Sequence, residues 1–275
     1  MNNPAISVIM TAYNTEKYIK EAIESILNQT FKDFEFIIVD DGSTDNTRLI
    51  IEEYAKKDRR IKILYNKKNL GIVKSLNKAI AIAKGKYIAR MDSDDVSKLN
   101  RLEKQFVFME SNPKVGVCGT NFILINEKGE IIGWKSFPET NEKCKKAFFF
   151  CNPFAHNTVM LRKECFDIFG YYNNDFLYAE DLELWMRFGQ KYKLHNLQKY
   201  LVYYRVHDIN SIFKNQKQMI KATLKARKIA LKKYNYHCPF LGYPAYFLTW
   251  FFQVMPPKFT YKTFSLLRNI IQKKL

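Results

Sequence analysis

Three carboxylates, Asp92, Asp94 and Asp95, follow a short apolar segment that begins at Tyr87 and is typical of a buried strand. Carboxylates this close repel one another unless a cation or several hydrogen-bond donors neutralise them. Oxygen ligands on a turn suit Mg²⁺ or Mn²⁺, which in such sites bridge a few carboxylates and the phosphates of a substrate. An alternative is that Asp94 or Asp95 caps a helix predicted to begin near Lys98. The triplet alone does not decide between a metal site and a helix cap.

Two further acidic pairs stand where predicted elements end or begin. Asp40 and Asp41 follow the second predicted strand, and Glu180 and Asp181 lie in the first turn of a predicted helix. Ligands of open α/β sheets bind beyond the carboxyl ends of the strands, so we expect the first pair and the triplet to face one crevice. The alternatives are that Asp40 and Asp41 form a turn with Gly42, and that the second pair complements a helix N-terminus.

The elements that would position these acids alternate regularly up to residue 95. Strands are predicted at residues 5–12, 34–39, 61–65 and 87–91, with a helix between each pair. Asn14 and Asp45 are expected to cap the first two helices, and Gly71 to open the third. Repeated strand–helix units predict a parallel sheet with helices on both faces.

Beyond the triplet the pattern becomes mixed. Helices are predicted at residues 98–110 and 179–190, strands at 157–161 and 200–206, and a hairpin at 115–134 that turns at 126–129. The predicted fold class is therefore α/β, with a mixed, mainly parallel sheet flanked by helices and followed by a C-terminal helical tail.

Composition and motifs exclude several classes of protein. A chain of 275 residues with 47% hydrophobic residues is long enough for one large α/β domain with an appendage. The first strand ends in Thr11–Asn14 instead of G-x-G-x-x-G, which argues against a dinucleotide-binding domain, and no P-loop motif occurs. Five scattered cysteines predict reduced thiols in a cytoplasmic protein, and we identify no signal peptide at the N-terminus.

The C-terminal quarter differs from the rest, so we divide the chain into residues 1–210 and 211–275. The net charge is +18, and residues 209–275 hold 13 of the 45 lysines and arginines but no acid. Residues 214–234 have helical periodicity with a lysine stripe, at Lys217, Lys221, Lys225, Lys228 and Lys232. Residues 240–255 are uncharged and aromatic, and shorter than the roughly 20 residues that a spanning helix needs. The pattern favours contact of residues 214–275 with an anionic membrane surface, and the alternative is packing on the first domain.

The resemblance to a known family rests on an ordered set of segments: Ser7–Asn14, Ile38–Asp45, Asn69–Gly71, Arg90–Asp95 and Glu180–Asp181. In this order they resemble the family-2 inverting glycosyltransferases of GT-A fold, over about residues 5–210. Residues 152–160 and 204–211 also resemble stretches of bacterial members that build surface polysaccharides. Leu99 departs from the family pattern, because many relatives have a proline there.

The resemblance implies a donor sugar carried by UDP. The implied donor contacts are Thr11, Ala12, Tyr13, Asp40, Asp41, Arg90, Asp92, Ser93 and Arg205. Asp41 would accept a hydrogen bond from the uracil imide, and Arg205 would contact the diphosphate or brace the pocket. Asp92 and Asp94 match the D-x-D motif of the family. Asp94 would bind Mn²⁺ or Mg²⁺ together with Asp92 and His207.

The acceptor hydroxyl must lose a proton as it attacks the anomeric carbon, and a carboxylate across the pocket can take it. Asp181 of the family's Glu-Asp pair is the implied base, and Glu180 is the second candidate. His156 is a weaker candidate for contact with the acceptor. One displacement with a base and no protein nucleophile implies inversion at the anomeric carbon.

The predicted function is transfer of a sugar from a UDP-sugar to a hydroxyl of a glycan or lipid-linked acceptor in cell-surface polysaccharide biosynthesis. The predicted location is the cytoplasmic, inner face of the cell membrane. A metal-dependent nucleotidyltransferase is an alternative, although the glycine- and arginine-rich signature it usually carries near the first strand is not found. A nucleic-acid-binding protein would use the lysine stripe but would leave the acidic clusters unexplained, so no nucleic acid partner is expected.

Overall fold

A mixed sheet of nine strands forms the centre of the computed structural model, which describes residues 3–207 and 215–240 and the single positions 242 and 244. The strands are β1 (Ile6–Ala12), β2 (Phe34–Asp40), β3 (Ile61–Tyr65), β4 (Tyr87–Asp92), β5 (Val96–Ser97), β6 (Val115–Ile125), β7 (Ile131–Lys135), β8 (Met160–Arg162) and β9 (Lys193–Arg205). Their order is β3-β2-β1-β4-β8-β6-β9-β5, and β7 pairs with β6. The predicted mixed α/β class is confirmed.

The first four strands are parallel, as the sequence predicts. β1 lies between β2 and β4, with Ala12 opposite Asp40 and Thr11 opposite Asp92. Neighbouring strands are about 4.8 Å apart, so the carboxyl ends of β2 and β4 are separated by about 10 Å. The first acidic pair and the triplet therefore lie at one edge of the sheet.

The other half of the sheet is mostly antiparallel. β8 joins β4 to β6, and β9 runs parallel to β6 over its whole length. The two-residue strand β5 comes directly after the triplet and pairs with the end of β9, Val96 opposite Tyr203. This short strand was not predicted, and it fixes the chain on the far side of the triplet.

Helices cover both faces of the sheet. The α-helices of residues 3–207 and 215–240 are α1 (Ile19–Leu27), α2 (Thr47–Lys57), α3 (Ile72–Ile82), α4 (Arg101–Ser111), α5 (Asn141–Ala147), α6 (Glu164–Phe169), α7 (Glu180–Phe188) and α8 (Gln216–Lys233). Alternate residues of each central strand point to opposite faces. Val8 and Met10 pack with α1, α2 and α4 in one core cluster, while Ile9 packs with α3 and α5 to α8 in the other.

Helix α8 forms much of the predicted tail helix. Its Ala222, Ala226 and Ala230 belong to the core cluster that also contains α7, whereas all five lysines of the lysine stripe are exposed. No helix within the described residues is both long and apolar enough to cross a membrane. Except for Gly242 and Pro244, the aromatic segment from residue 241 onward lies outside the described residues. The division of the chain at residue 210 stays a prediction.

Several local predictions need correction. Asn14 does not cap α1, which begins at Ile19. Its backbone is left-handed (φ 51°), and its side chain accepts a hydrogen bond from the Thr44 amide at 2.8 Å. The Asp45 carboxylate does accept from the Thr47 amide at 3.0 Å, at the start of α2. Neither Asp94 nor Asp95 caps a helix, because β5 separates them from α4 and no side chain caps that helix.

Candidate active site

The acidic triplet lies on the turn between β4 and β5. Asp92 is the last residue of β4, and Asp95 directly precedes β5. One carboxylate oxygen of each residue of the triplet lies within 4.8 Å of one from both of the others. Burial, followed by the negative charge of Asp92, raises the pKa of Asp94 and raises that of Asp95 well above its usual value. This electrostatic cost is what a bound cation would relieve.

The turn is held in place by the end of β9. The Asp95 carboxylate accepts from the backbone amide of Arg205 at 2.8 Å and from the side chain of Asn157. The Arg205 guanidinium donates to the Asp94 carbonyl at 2.9 Å and forms an ion pair with Glu21. The Arg205 side chain is only 3% exposed. These contacts favour the alternative in which Arg205 braces the site, and its contact with a diphosphate stays a prediction.

His207 joins the triplet from beyond β9. Its Nε2 lies 2.6 Å from Oδ2 of Asp94, and its ring stacks on Tyr18 at a centroid distance of 5.3 Å. Three carboxylates and an imidazole are a donor set that fits Mn²⁺ or Mg²⁺. The sequence predicted Asp92, Asp94 and His207 as ligands. The structure adds Asp95 to the group.

Arg90 connects the triplet with the second acidic pair. Arg90 lies within β4, and its side chain is buried and forms an ion pair with Asp92. Its positive charge also opposes the rise in the pKa of Glu180 and of Asp181 that burial produces. Its Nε has no hydrogen-bond partner within the part of the chain that the structure describes. The charge of the buried Arg90 therefore acts on both groups of acids.

Glu180 and Asp181 open helix α7 next to this cation. Burial, and then the charge of Asp181, raises the pKa of Glu180 to about 7. Asp181 accepts hydrogen bonds at 2.6 Å from the Asn152 side chain and from the Leu182 amide. Burial raises its pKa as well. A carboxylate with a raised pKa is a better proton acceptor near neutral pH.

An aromatic group of His156, Tyr172 and Trp185 lies near these acids, and of its members the sequence singled out His156 alone. Nε2 of His156 is 2.8 Å from the Tyr172 hydroxyl, and both rings pack against Trp185. Burial, and then the charge of Arg90, lowers the pKa of His156 well below its usual value, so the imidazole is neutral. Its contact with an acceptor stays a prediction.

The first acidic pair has a structural role at its own strand end. The Asp41 carboxylate accepts from the Asn66 side chain at 2.7 Å and from the Leu70 and Gly71 amides at 2.9 and 3.0 Å. Asp40 accepts from the Ser43 amide at 3.1 Å, as expected of a turn. Asp41 thus ties residues 66–71 to β2.

The donor contacts implied at the end of β1, Thr11, Ala12 and Tyr13, lie at the same edge of the sheet. The Ala12 carbonyl accepts from the Asp41 amide at 2.8 Å, and the neighbouring Tyr13 side chain is 44% exposed. Thr11 is half-buried and Ser93 is buried. The donor contacts implied for Thr11, Ala12, Tyr13, Asp40, Asp41 and Ser93 stay predictions.

The comparison with protein families decides what kind of domain this is. Residues 7–169, more than half of the chain, match the family model described as glycosyl transferase family 2. The chain belongs to glycosyl transferase family 2. It is therefore an enzyme of the glycosyltransferase class, as the ordered motifs predicted.

The relatives of this family-2 glycosyltransferase include a protein of O-antigen biosynthesis and a protein solved with UDP. It is 39% identical over 207 residues to the O-antigen biosynthesis glycosyltransferase WbnJ of Escherichia coli, a match that covers 74% of this chain and 80% of WbnJ. It is also similar to S. aureus TarS 1–349, solved in complex with UDP, with 25% identity and a TM-score of 0.64. That match covers 80% of this chain and 64% of the TarS chain.

A third match supports the fold alone. The mannosyltransferase PcManGT of Pyrobaculum calidifontis, solved with GDP-Man and Mn²⁺, has 14% identity and a TM-score of 0.66. The match covers 97% of this chain and 74% of that protein. The predicted GT-A architecture is confirmed.

The family-2 site contains side chains that sequence reasoning did not assign. Asn152 and Asn157 hold Asp181 and Asp95, respectively. Both lie in the stretch 152–160, which was singled out as similar to bacterial members without a role for either residue. Tyr172 carries no such motif, and only the fold brings it to His156.

Proposed function

We propose that this glycosyltransferase moves a sugar from a UDP-sugar to a hydroxyl group of a glycan or lipid-linked acceptor, with inversion at the anomeric carbon. Its similarity to an O-antigen glycosyltransferase and to a protein solved with UDP supports this choice of acceptor class and donor. The product would be part of a cell-surface polysaccharide.

One observation carries the proposal: the charge of the buried Arg90 acts on two separate groups of acids. The triplet is beside Arg90 at the end of β4, and the Glu180–Asp181 pair is close enough for the Arg90 charge to act on it. A transferase needs this division, because the leaving diphosphate requires positive charge whereas the attacking hydroxyl requires a base. We assign the diphosphate to the triplet side and the acceptor to the Asp181 side.

Asp92, Asp94, Asp95 and His207 would hold Mn²⁺ or Mg²⁺. Such an ion, when bound, offsets the negative charge that develops on the leaving diphosphate. Arg205 keeps this ligand set in place through the Asp94 carbonyl and through its own amide on Asp95. Arg90 places a second positive charge next to Asp92.

Asp181 takes the proton from the acceptor hydroxyl in this proposal. The Asn152 side chain and the Leu182 amide donate to its carboxylate and thereby fix its orientation. Glu180 is buried beside it with a raised pKa, so near pH 7 it is partly protonated and carries less competing charge. A single displacement by the deprotonated hydroxyl inverts the anomeric carbon.

The test is a donor screen followed by product analysis. The protein is incubated with Mn²⁺ and UDP-glucose, UDP-galactose, their N-acetyl derivatives or UDP-glucuronate, and protection against heat identifies the donor. Turnover of that donor is then assayed for UDP. Release of UDP supports the proposal, whereas release of pyrophosphate from a nucleoside triphosphate would identify a nucleotidyltransferase.

We also propose that the enzyme works at the inner face of the cell membrane. The exposed lysine stripe on α8 supports this, because lysines near an anionic surface contribute about 1 kcal/mol each to binding. A lipid-linked acceptor would be concentrated at the same surface. Cosedimentation of the full chain with anionic vesicles but not with neutral vesicles is the expected result.

A further inference from the structure

A basic pocket lies away from the candidate active site, where helix α8 ends. It has a volume of about 280 Å³ and is lined by Lys145 and Lys146 of α5, Gln190 after α7, and residues 234–237 after α8. No acidic residue is among its lining residues, and His237 adds a further titratable group. We call it the Lys145 pocket.

Lys145 is the unusual residue in this pocket. It is half-buried, and burial lowers the pKa of its ammonium group. Its Nζ lies 5.6 Å from the centroid of the Tyr236 ring, and in the described residues no carboxylate forms an ion pair with Lys145 or Lys146. The charge of Glu142, one turn earlier in α5, acts on Lys145 without forming an ion pair with it. Buried charges are normally paired, so the half-buried Lys145 has no anion in direct contact.

A simpler explanation is that two lysines in the last turn of a helix complement its carbonyl end. Helix α2 ends in a similar pair, Lys56 and Lys57, and provides a direct comparison. There Lys57 is exposed and forms an ion pair with Glu53. Lys145 has lost solvent without gaining such a partner, and the helix-end explanation does not account for that burial.

One wall of the pocket is fixed by close packing. The Tyr236 hydroxyl donates to the Met186 carbonyl at 3.0 Å, and a Cβ on Gly189 would lie 2.3 Å from the same hydroxyl oxygen. Asn235 has a left-handed backbone (φ 55°), which turns the chain back towards α7. Gly189 and Tyr236 are buried and form a packed wall, whereas the side chains of Lys146, Gln190, Asn235 and His237 are exposed at the mouth of the pocket.

The surroundings of the pocket indicate where the anion comes from. The lysine stripe runs along the exposed side of α8 to Lys232, two residues before the pocket begins at Tyr234. Phe240, three residues after the last lining residue of the pocket, is 89% exposed and begins the uncharged aromatic segment of the sequence. Exposed basic and aromatic residues together are typical of a surface that contacts the headgroup region of a membrane.

We propose that the Lys145 pocket binds the phosphate of an anionic lipid headgroup, through Lys145 and Lys146. This inference rests on the proposed function at the membrane and deepens it, because the pocket belongs to the folded domain and not to the tail alone. It would orient the catalytic domain on the lipid surface, beyond the attraction that the lysine stripe provides.

The test compares three double variants of the full chain by cosedimentation. The vesicles contain phosphatidylcholine with or without 30% phosphatidylglycerol. K145Q/K146Q should bind the anionic vesicles about 30-fold more weakly than the wild type, equivalent to about 2 kcal/mol at about 1 kcal/mol per charge. K56Q/K57Q, which removes the comparable pair from α2, should bind like the wild type. K217Q/K221Q removes two charges of the lysine stripe but leaves the Lys145 pocket unchanged. Soluble phosphate should therefore still compete with the binding of this variant to vesicles.

Competition with glycerol 3-phosphate and inorganic phosphate distinguishes the source of the anion. Displacement of the wild type from anionic vesicles by glycerol 3-phosphate supports headgroup recognition. Binding of either soluble anion without any vesicle binding would show a pocket for a soluble phosphate and overturn the lipid assignment. Equal vesicle binding by the wild type and K145Q/K146Q would overturn the proposal altogether.

Sugar transfer in vesicle-free solution is measured on the same variants. Lys145 and Lys146 are outside the candidate active site, so we expect turnover of the soluble donor to be unchanged in K145Q/K146Q. Loss of vesicle binding with normal turnover supports the pocket. Absence of turnover in every protein, including the wild type, would count against the proposed function and not against the pocket.

Discussion

Replacing Glu180 with glutamine should stabilise the protein at high pH. The carboxyl is buried, its Oε2 has no hydrogen-bond partner among the described residues, and its pKa is raised from 4.5 to about 7 by burial and then by Asp181. The folded protein therefore binds more protons than the unfolded chain between pH 4.5 and about 7. Stability falls as pH rises through that window and stays low above it. The pKa difference corresponds to about 3 kcal/mol.

Urea unfolding of the wild type and Glu180→Gln at pH 5 and pH 8 measures this effect. We expect the variant to be more stable by about 3 kcal/mol at pH 8 and by less than about 1 kcal/mol at pH 5, where the wild-type carboxyl is mostly protonated. Glu142→Gln is the matched control, since Glu142 is an exposed first-turn acid of α5 whose pKa is lowered mainly by a backbone hydrogen bond. That variant should show no gain at pH 8. A stability difference for Glu180→Gln that is the same at both pH values would refute the reasoning.

Three further substitutions probe the site. Asp181→Asn should reduce kcat by about 10²- to 10⁴-fold with little change in donor binding, and retained transfer would move the base role to Glu180 or elsewhere. Gly42→Ala should lower the free energy of unfolding by at least about 2 kcal/mol, because Gly42 has φ +77° and an added Cβ would lie 2.6 Å from the Lys68 carbonyl carbon; an unchanged urea midpoint would contradict this. Arg205→Ala should weaken metal-dependent UDP binding in calorimetry and lower stability by about 2 kcal/mol, whereas weaker binding at unchanged stability would favour direct contact with the diphosphate.

The parallel half of the fold could be predicted well because β1, β2 and β4 are buried along almost their whole length. β1 and β2 are rich in apolar residues, with Ser7 and Glu35 as buried polar exceptions, and β3 has the predicted bounds, Ile61–Tyr65. Continuous burial leaves a strong signal in the sequence. β5 has only two residues and leaves no such signal in the sequence. Its pairing with β9 depends on a contact between segments more than 100 residues apart.

The part of the site that could be predicted consists of residues that belong to sequence motifs. The acids were identified from their positions after strands and from the ordered resemblance. The addition of Asp95 to the candidate metal ligands depends on the turn geometry, which Arg205 and Asn157 determine from distant parts of the chain. The left-handed conformation of Asn14 likewise follows from its hydrogen bond with Thr44 and not from local helix propensity. Long-range partners of this kind are not visible in a single sequence.

Helix α8 shows both what the sequence could predict and what it could not. Its spacing predicted one exposed face of a helix, and the five lysines of α8 are exposed. The Lys145 pocket at the end of the same helix joins side chains from α5, the turn after α7 and residues 234–237. No spacing rule relates these segments, so only the folded structure places them together.

Calorimetric titration of UDP into the protein tests the central claim, that the acidic triplet holds a divalent ion against the diphosphate of the donor. The wild type and Asp167→Ala, an exposed acid of α6 used as the control, should bind UDP with Mn²⁺ and at least about 10-fold more weakly with a chelator. Asp94→Ala should lose this dependence on Mn²⁺ while its circular dichroism stays that of the wild type. Equal UDP affinity of the wild type with and without Mn²⁺, or full Mn²⁺ dependence in Asp94→Ala, would contradict the account.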